Sequence, residues 1–142
     1  MNPVPPQFTP DPVTELLEGQ VFVFGSNRAG RHGRGAAKTA LKWGAIYGQG
    51  EGLMGQTYGI PTKGRKMEVL TLREIGYAVD RFLRFAEAHP ELTFLVTPVG
   101  CGLAGYSPKD IAPLFLPPPF NPINVILPES FFKVLTAPVV KS

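Results

Sequence analysis

The stretch Phe94–Tyr106, FLVTPVGCGLAGY, decides the interpretation of this chain. It begins with the apolar run Phe94-Leu95-Val96, which is typical of a buried strand. Three glycines then fall within the six residues Gly100–Gly105, and they let the backbone turn tightly and approach a ligand closely. Ser107-Pro108 follow as an N-cap and a first helical residue, so a helix is predicted to begin there. A strand, a glycine loop and a helix N-terminus in this order suit a bound anion, although plain tight turns also have this order.

A second unit of the same kind occurs nearer the N-terminus. Val21–Phe24 is a continuous apolar run of β-forming residues, and it predicts a central strand buried on both faces. The glycine-rich segment Gly25–Gly35 follows it, and Ala36–Trp43 is predicted to be a helix that ends at Gly44. We expect both loops at the carboxyl ends of neighbouring strands, where open α/β sheets bind their ligands.

Strands and helices alternate along the rest of the chain. The five prolines of residues 1–12 predict a tail that is extended and poorly ordered or draped over the surface, and Ala45–Gly55 is expected to hold little regular structure. The other predicted elements are helical turns at Val13–Gly19 and Phe131–Leu135, a capped helix from Thr71 to about His89, strands at Gln56–Pro61 and Asn124–Leu127, and a basic turn at Thr62–Lys66. The fold class is therefore α/β, with one domain over residues 13–142 and a central mixed, mostly parallel sheet with helices on both faces.

Composition narrows the functional classes. At 142 residues with a net charge of +3, the chain favours anionic partners weakly, and the charge does not by itself indicate nucleic-acid binding. A single cysteine excludes an internal disulfide, and no Cys/His cluster has the spacing of metal ligands. No stretch is long and apolar enough to span a membrane, and the N-terminus does not resemble a signal peptide, so we expect a cytoplasmic protein without a metal or a membrane partner.

The first loop carries the more polar side chains. Asn27 can both donate and accept hydrogen bonds, which suits a sugar hydroxyl pair, but asparagine also commonly stabilises its own turn. Arg28, Arg31 and Arg34 lie among the glycines, where they can pair with phosphate or point into water. His32 can supply a proton, although the sequence shows no partner for it. Asn27 and His32 are the candidate catalytic residues.

The second loop offers a thiol and an aromatic ring. Cys101 lies between two glycines beside the predicted helix N-terminus, which lowers a thiol pKa, but no base is evident, so a small residue filling a tight loop is the favoured interpretation. The ring of Tyr106 can stack on a ribose or base, or it can hold the loop against the core. Among the acids, only Glu51 is retained as a site candidate.

The two loop units together resemble the macrodomain family of ADP-ribose-binding α/β modules. The resemblance lies in VFVFGSNRAGRHGRGAA at Val21–Ala37 and in VTPVGCGLAGYSPKDIAPLF at Val96–Phe115. The GSN, GQ-Y-IPTK and GCGLAGY stretches are similar to those of a compact macro-like subgroup. The resemblance implies a three-layer macrodomain-like fold and, as ligand, ADP-ribose or a related NAD-derived nucleotide, with no cofactor.

By this resemblance, Asn27 contacts the distal ribose, Gly33 and Gly35 line the path of that ribose and the phosphates, the second loop cradles the diphosphate, and Tyr106 flanks the distal ribose. The ligand-binding residues that it implies are Gly25, Ser26, Asn27, Gly33, Gly35, Gly100, Cys101, Gly102, Leu103, Ala104, Gly105 and Tyr106. A Cβ at Gly102 or Gly105 is expected to exclude the diphosphate.

The chain departs from the family at two positions. No Asp directly follows a strand near the N-terminus, where the family binds the adenine amino group, and the first glycine loop is basic where hydrolytic members carry an acid. Three functions stay open: hydrolysis of ADP-ribosyl adducts, including those on macromolecules, non-catalytic nucleotide binding, and, less favoured, nucleic-acid binding through Arg28, Arg31, Arg34 and Lys63–Lys66.

Overall fold

The structure is a computed structural model and describes residues 6–116 and 120–138. The strands are β1 (Gln20–Asn27), β2 (Gly52–Met54), β3 (Thr57–Lys63), β4 (Thr93–Val96) and β5 (Val125–Ile126). The helices are α1 (Gly35–Ala40), α2 (Leu72–Ala88), α3 (Pro108–Ile111) and α4 (Glu129–Thr136), and short 3-10 turns at Leu41–Trp43 and Ala112–Leu114 extend α1 and α3.

The five strands form one sheet in the order β2-β3-β1-β4-β5. β1 is parallel to both β3 and β4, and β4 is parallel to β5, whereas β2 runs antiparallel to β3. The register pairs Val21 with Phe94 and Val23 with Val96, so the two apolar runs that precede the glycine loops are neighbours at the centre of the sheet. The α/β class, the mixed but mostly parallel sheet and this adjacency are confirmed.

Alternate residues of β1 face the two sides of the sheet, because successive side chains of a strand point in opposite directions. Val21 and Val23 belong to the larger core, which the apolar stripe of α2 and the helices α3 and α4 complete. Phe22 and Phe24 belong to a smaller core with Ala37 and Ala40 of α1. Helices therefore cover both faces, and both cores hold β1 in place beneath its loop.

The long helix α2 begins as the sequence predicts. The Thr71 side chain accepts a hydrogen bond from the Glu74 amide, and the Glu74 carboxylate accepts one from the Thr71 amide in return. The helix ends at Ala88, two residues before Pro90, which cannot continue it.

Several predicted boundaries are wrong. No helical turn forms at residues 13–19, where the Leu17 amide donates instead to the side chain of Gln20. The segment 45–55 contains β2, which adds an antiparallel edge to the sheet. The predicted basic turn begins inside β3, because residues 62 and 63 continue that strand.

β1 is longer than its apolar run indicates. Its pairing with β3 continues through Ser26 opposite Pro61 and Asn27 opposite Lys63, so the first three positions of the predicted loop, Gly25–Asn27, belong to the strand. The predicted helical turn near the C-terminus is the longer α4, and the last strand is the shorter β5.

The N-terminal segment lies on the surface beside β5. The Thr9 amide donates to the carbonyl of Leu127 at 3.0 Å, and the Thr9 hydroxyl donates to the carbonyl of Ile126 at 3.1 Å. The ring of Phe8 packs edge-on against Phe132 of α4. Residues 6–12 are thus draped over the domain, whereas residues 1–5 of the predicted tail lie outside the described residues.

Candidate functional site

A cavity of about 680 Å³ opens at the carboxyl ends of β1, β3 and β4. We call it the basic cavity. Its walls are residues 25–27 of β1, residues 33–37 where α1 begins, and residues 97–100 and 102–104 after β4, together with the single residues Arg31, Tyr47, Thr62, Lys63 and Met67. The two glycine loops therefore meet at one site, at the edge of the sheet where α/β proteins bind ligands.

A neighbouring cavity of about 770 Å³ lies beside the basic cavity. Its walls are residues 8–13 of the N-terminal segment and residues 128–130 and 133 of α4 and its approach, with Phe22 and Thr39. Ala36, Thr97 and Pro98 line both cavities, so the two are adjacent, and together we call them the groove.

Backbone amides of the second loop are free to bind a ligand. Cys101, Gly105 and Tyr106 donate their amides to carbonyls of the same loop, which fixes its shape. Among the described residues, no acceptor is found for the amides of four lining residues: Gly100, Gly102, Leu103 and Ala104. Successive backbone N–H groups in such a turn bind anions.

Cationic side chains add to this donor set. Arg31, Arg34 and Lys63 line the basic cavity, and no Asp or Glu among the described residues lines it. None of the three takes part in an ion pair within residues 6–116 and 120–138. Arg28, by contrast, points away and pairs with Glu74 at 3.4 Å. The three arginines of the first loop therefore have different environments: Arg31 and Arg34 line the basic cavity, and Arg28 does not.

The Asn27 side chain forms hydrogen bonds within its own turn. Its side-chain amide donates to the Arg31 carbonyl at 2.8 Å, and its side-chain oxygen accepts from the Arg31 amide at 2.9 Å. The residue is 7% exposed and lines the basic cavity, and one N–H and one lone pair of its amide remain for a ligand. The turn-stabilising interpretation therefore holds, and contact with a ligand is compatible with it.

His32 does not reach the cavity. It is fully buried, and its Nε2 lies 2.9 Å from the carbonyl oxygens of both Ile46 and Gln49. Its ring packs edge-on against Phe24 and Tyr47. A ring so enclosed cannot exchange a proton with a bound ligand, so the structure argues against His32 as a catalytic acid and places it in the framework of the loop.

The second loop divides its residues between the site and the core. Cys101, Gly105 and Tyr106 do not line the basic cavity. The Tyr106 hydroxyl donates to the Leu70 carbonyl at 2.6 Å, and its ring packs against the larger core. Of the two predicted roles for Tyr106, the structure shows the one that holds the loop against the core.

The Cys101 thiol is not an activated nucleophile. Burial raises its pKa to about 11, and the nearby Asp110 carboxylate contributes to the increase. From the neighbouring helix N-terminus, the sequence predicts a lowered thiol pKa. However, α3 is only four residues long, and the Asp110 carboxylate already accepts a hydrogen bond from the Ser107 amide at its start. The thiol is consequently protonated at neutral pH, in agreement with the space-filling role that the sequence favours.

Glu51, the acid that the sequence retains as a candidate, lies elsewhere. Its carboxylate accepts two hydrogen bonds from the Arg81 guanidinium in a bidentate arrangement, at 2.6 and 2.9 Å. Burial, followed by the Glu51 charge, raises the pKa of nearby Tyr58 to about 12. The Glu51–Arg81 pair links α2 to the loop before β2, and neither residue lines the basic cavity.

Among the residues of the groove that sequence reasoning did not assign to the nucleotide site are Asp11, Tyr47 and Met67, and Lys63 was named only in the nucleic-acid alternative. Lys63 could have been assigned to that site, because β3 ends beside β1 and places its last residues at the same edge of the sheet. Met67 has a φ of 65°, which is uncommon outside glycine and typical of strained positions at functional sites. Asp11 stands between Pro10 and Pro12, and this proline-rich segment has no sequence pattern that indicates a binding site.

Comparison of the chain with protein-family models, curated proteins and solved structures found no match. None of the helices in the described residues has both the length and the apolar character that crossing a membrane requires. Over the same residues, no group of three or more His, Cys, Asp or Glu side chains is placed to hold a metal ion.

Proposed function

We propose that this protein has a three-layer macrodomain-like fold and binds ADP-ribose or a related diphosphate nucleotide in the groove. The observation that carries the proposal is the donor set of the basic cavity: four free amides of one loop, three unpaired cations and no carboxylate among the described residues. Such a set favours a ligand with two adjacent phosphates, because the amides and cations can share its charge.

Charge orients the ligand in the groove. The neighbouring cavity carries Asp11, Glu129 and Lys133, and Glu129 is paired with Lys133 at 3.6 Å. Among the described residues of this cavity, Asp11 is therefore the carboxylate without an ion pair, and it repels phosphate. The apolar walls, including Phe8 and Val13, suit a base. The Asp11 carboxylate is an acceptor for an amino group such as that of adenine. The base therefore occupies the neighbouring cavity, the ligand passes the shared wall at Thr97 and Pro98, and the diphosphate and the far end of the ligand lie in the basic cavity.

The site favours binding over hydrolysis. General acid–base catalysis needs a titratable side chain within hydrogen-bond reach of the reacting atoms. The lining of the basic cavity within residues 6–116 and 120–138 contains no imidazole, thiol or carboxylate, the groups that most often act as acid or base, and its titratable groups besides the arginines are the Lys63 amine and the Tyr47 phenol. ADP-ribosylated macromolecules are consequently proposed as bound partners rather than substrates.

Calorimetry with ADP-ribose tests the proposal. The double variant Arg34→Gln/Lys63→Gln should weaken binding by about 3- to 10-fold at low salt, since each partly exposed charge contributes on the order of 0.5 kcal/mol. Arg28→Gln is the matched control: it removes one charge of the same loop outside the cavity and should leave affinity unchanged. Absence of heat with the unaltered protein, or equal losses in both variants, would contradict the proposal. Release of ADP-ribose from a modified protein would show hydrolysis instead.

A further inference from the structure

Tyr47 is an exposed aromatic residue at the mouth of the basic cavity. Its side chain lines the cavity, although the residue is 63% exposed. Its hydroxyl lies close above the first glycine loop, 3.9 Å from the position that a Cβ on Gly33 would take. An aromatic side chain with a hydroxyl is thus placed at the edge of the basic cavity beside the first glycine loop.

The turn that carries Tyr47 is fixed from below by His32. Because both partners of His32 Nε2 are carbonyl oxygens, that nitrogen carries the hydrogen and donates to Ile46 and Gln49, on either side of Tyr47. The His32 and Tyr47 rings meet edge-on with centroids 5.9 Å apart. The Gly48 amide also donates to the Gly30 carbonyl at 3.0 Å, so the turn is tied to the first loop.

We propose that Tyr47 binds the sugar that follows the diphosphate and that His32 is the positioning residue that holds it there. This inference rests on the proposed function, which places the base in the neighbouring cavity, where Tyr47 does not reach. Tyr106 cannot take this role, since its hydroxyl is bound to Leu70 and its ring packs in the core. A ring that is fixed before binding loses little conformational entropy when a sugar stacks on it.

Paired calorimetry with ADP-ribose and ADP tests the role of Tyr47, because ADP has the same base and diphosphate without the second sugar. Tyr47→Ala should weaken the affinity for ADP-ribose by about 5- to 10-fold, which is the effect of losing one partly buried aromatic contact, and leave the affinity for ADP unchanged. Tyr77→Ala is the matched control, since Tyr77 is 51% exposed on α2 and lies outside both cavities.

The outcomes separate this inference from the proposed function. If the unaltered protein binds neither ADP nor ADP-ribose, the proposed function fails. If it binds both, and Tyr47→Ala weakens the two equally or weakens neither, the proposed function stands and the role of Tyr47 is overturned.

His32 is tested by a double-mutant cycle with Tyr47. His32→Phe keeps a ring in the core and removes the hydrogen-bond donor, so ADP-ribose binding should weaken while ADP binding does not. The backbone amides of Gly48 and Gln49 should also exchange their hydrogens faster. His32→Gln restores an N–H donor and should recover part of the affinity. In the Tyr47→Ala background, His32→Phe should have no further effect, because coupled residues are not additive. Additive losses, or equal losses for ADP, would overturn the positioning role; thermal melts establish that each variant is folded.

Discussion

Asn27 and Arg31 close a five-residue turn through two reciprocal hydrogen bonds, from the Asn27 side-chain amide to the Arg31 carbonyl at 2.8 Å and from the Arg31 backbone amide to the Asn27 side-chain oxygen at 2.9 Å. The turn directs the chain away from the end of β1 and brings the Arg31 side chain to the basic cavity. One buried residue thus determines both the shape of the first loop and the position of one of its cations.

Asn27→Ala should therefore lower both stability and affinity. It leaves the Arg31 amide and carbonyl without these partners, and we expect a loss of about 1–3 kcal/mol in the free energy of unfolding. Urea denaturation measures this loss. Asn27→Asp keeps the acceptor for the Arg31 amide and should fall between Ala and the unaltered protein. An Ala variant of unchanged stability would show that the turn does not depend on this side chain.

The sequence predicts the centre of this fold better than its periphery. The runs before the two glycine loops are apolar at every position, as expected for strands covered on both faces, and the Thr71 capping box marks the start of α2. β2 was not predicted, because its three residues include a glycine and its pairing with β3 supplies the stabilising hydrogen bonds.

The candidate site was predicted only where its residues are adjacent in sequence. The repeated pattern of strand, glycine loop and helix predicts that both glycine loops lie at one edge of the sheet. Tyr47 and Asp11 enter the groove through tertiary contacts that leave no local pattern: the bonds of His32 to the turn around Tyr47, and those of Thr9 to the strand end near Leu127. Tyr106 was ambiguous for the same reason, since its partner, the Leu70 carbonyl, is distant in sequence.

The Cys101 thiol should react slowly with alkylating reagents. A pKa of about 11, against an ordinary value of 9.0, leaves about a hundredfold less thiolate at pH 8, and the thiolate is the reactive form. The rate of iodoacetamide labelling in the folded protein, compared with that in urea, measures this difference. Cys101→Ser should leave ADP-ribose affinity unchanged, because the side chain lies outside the cavity lining. Fast labelling of the folded protein would contradict the raised pKa.

Acid should weaken the start of α2. The hydrogen bond from the Thr71 amide, followed by that from the Thr71 hydroxyl, lowers the pKa of Glu74 below its ordinary value of 4.5. A carboxyl group whose pKa is lower in the folded state contributes stability above the unfolded pKa and loses it as the pH falls through the folded pKa. The stability advantage of the unaltered protein over Glu74→Gln should therefore be present at pH 6 and be lost as the pH falls below 4.5 through the folded pKa. Urea denaturation across this range measures it, and a constant difference would contradict the assignment.

Gly102 and Gly105 separate a ligand-binding role from a conformational one. A Cβ on Gly102 meets no atom within 4 Å, its φ is not left-handed, and the residue lines the basic cavity. Gly102→Val should consequently keep the melting temperature and lose ADP-ribose binding, because the new side chain occupies the space beside the free amides. Gly105 also has open space around it, but its φ is 86° and it does not line the cavity.

Gly105→Val is therefore the matched control, and it should give the reverse result. A β-branched residue at a left-handed φ costs on the order of 1–3 kcal/mol, so the melting temperature should fall. The folded fraction should bind ADP-ribose normally unless the whole loop rearranges. A thermal-shift series with and without ADP-ribose measures both properties, since a ligand that binds the native state raises its melting temperature. A normal ligand-induced shift in Gly102→Val would show that the second loop does not hold the diphosphate, whatever the stability of the control.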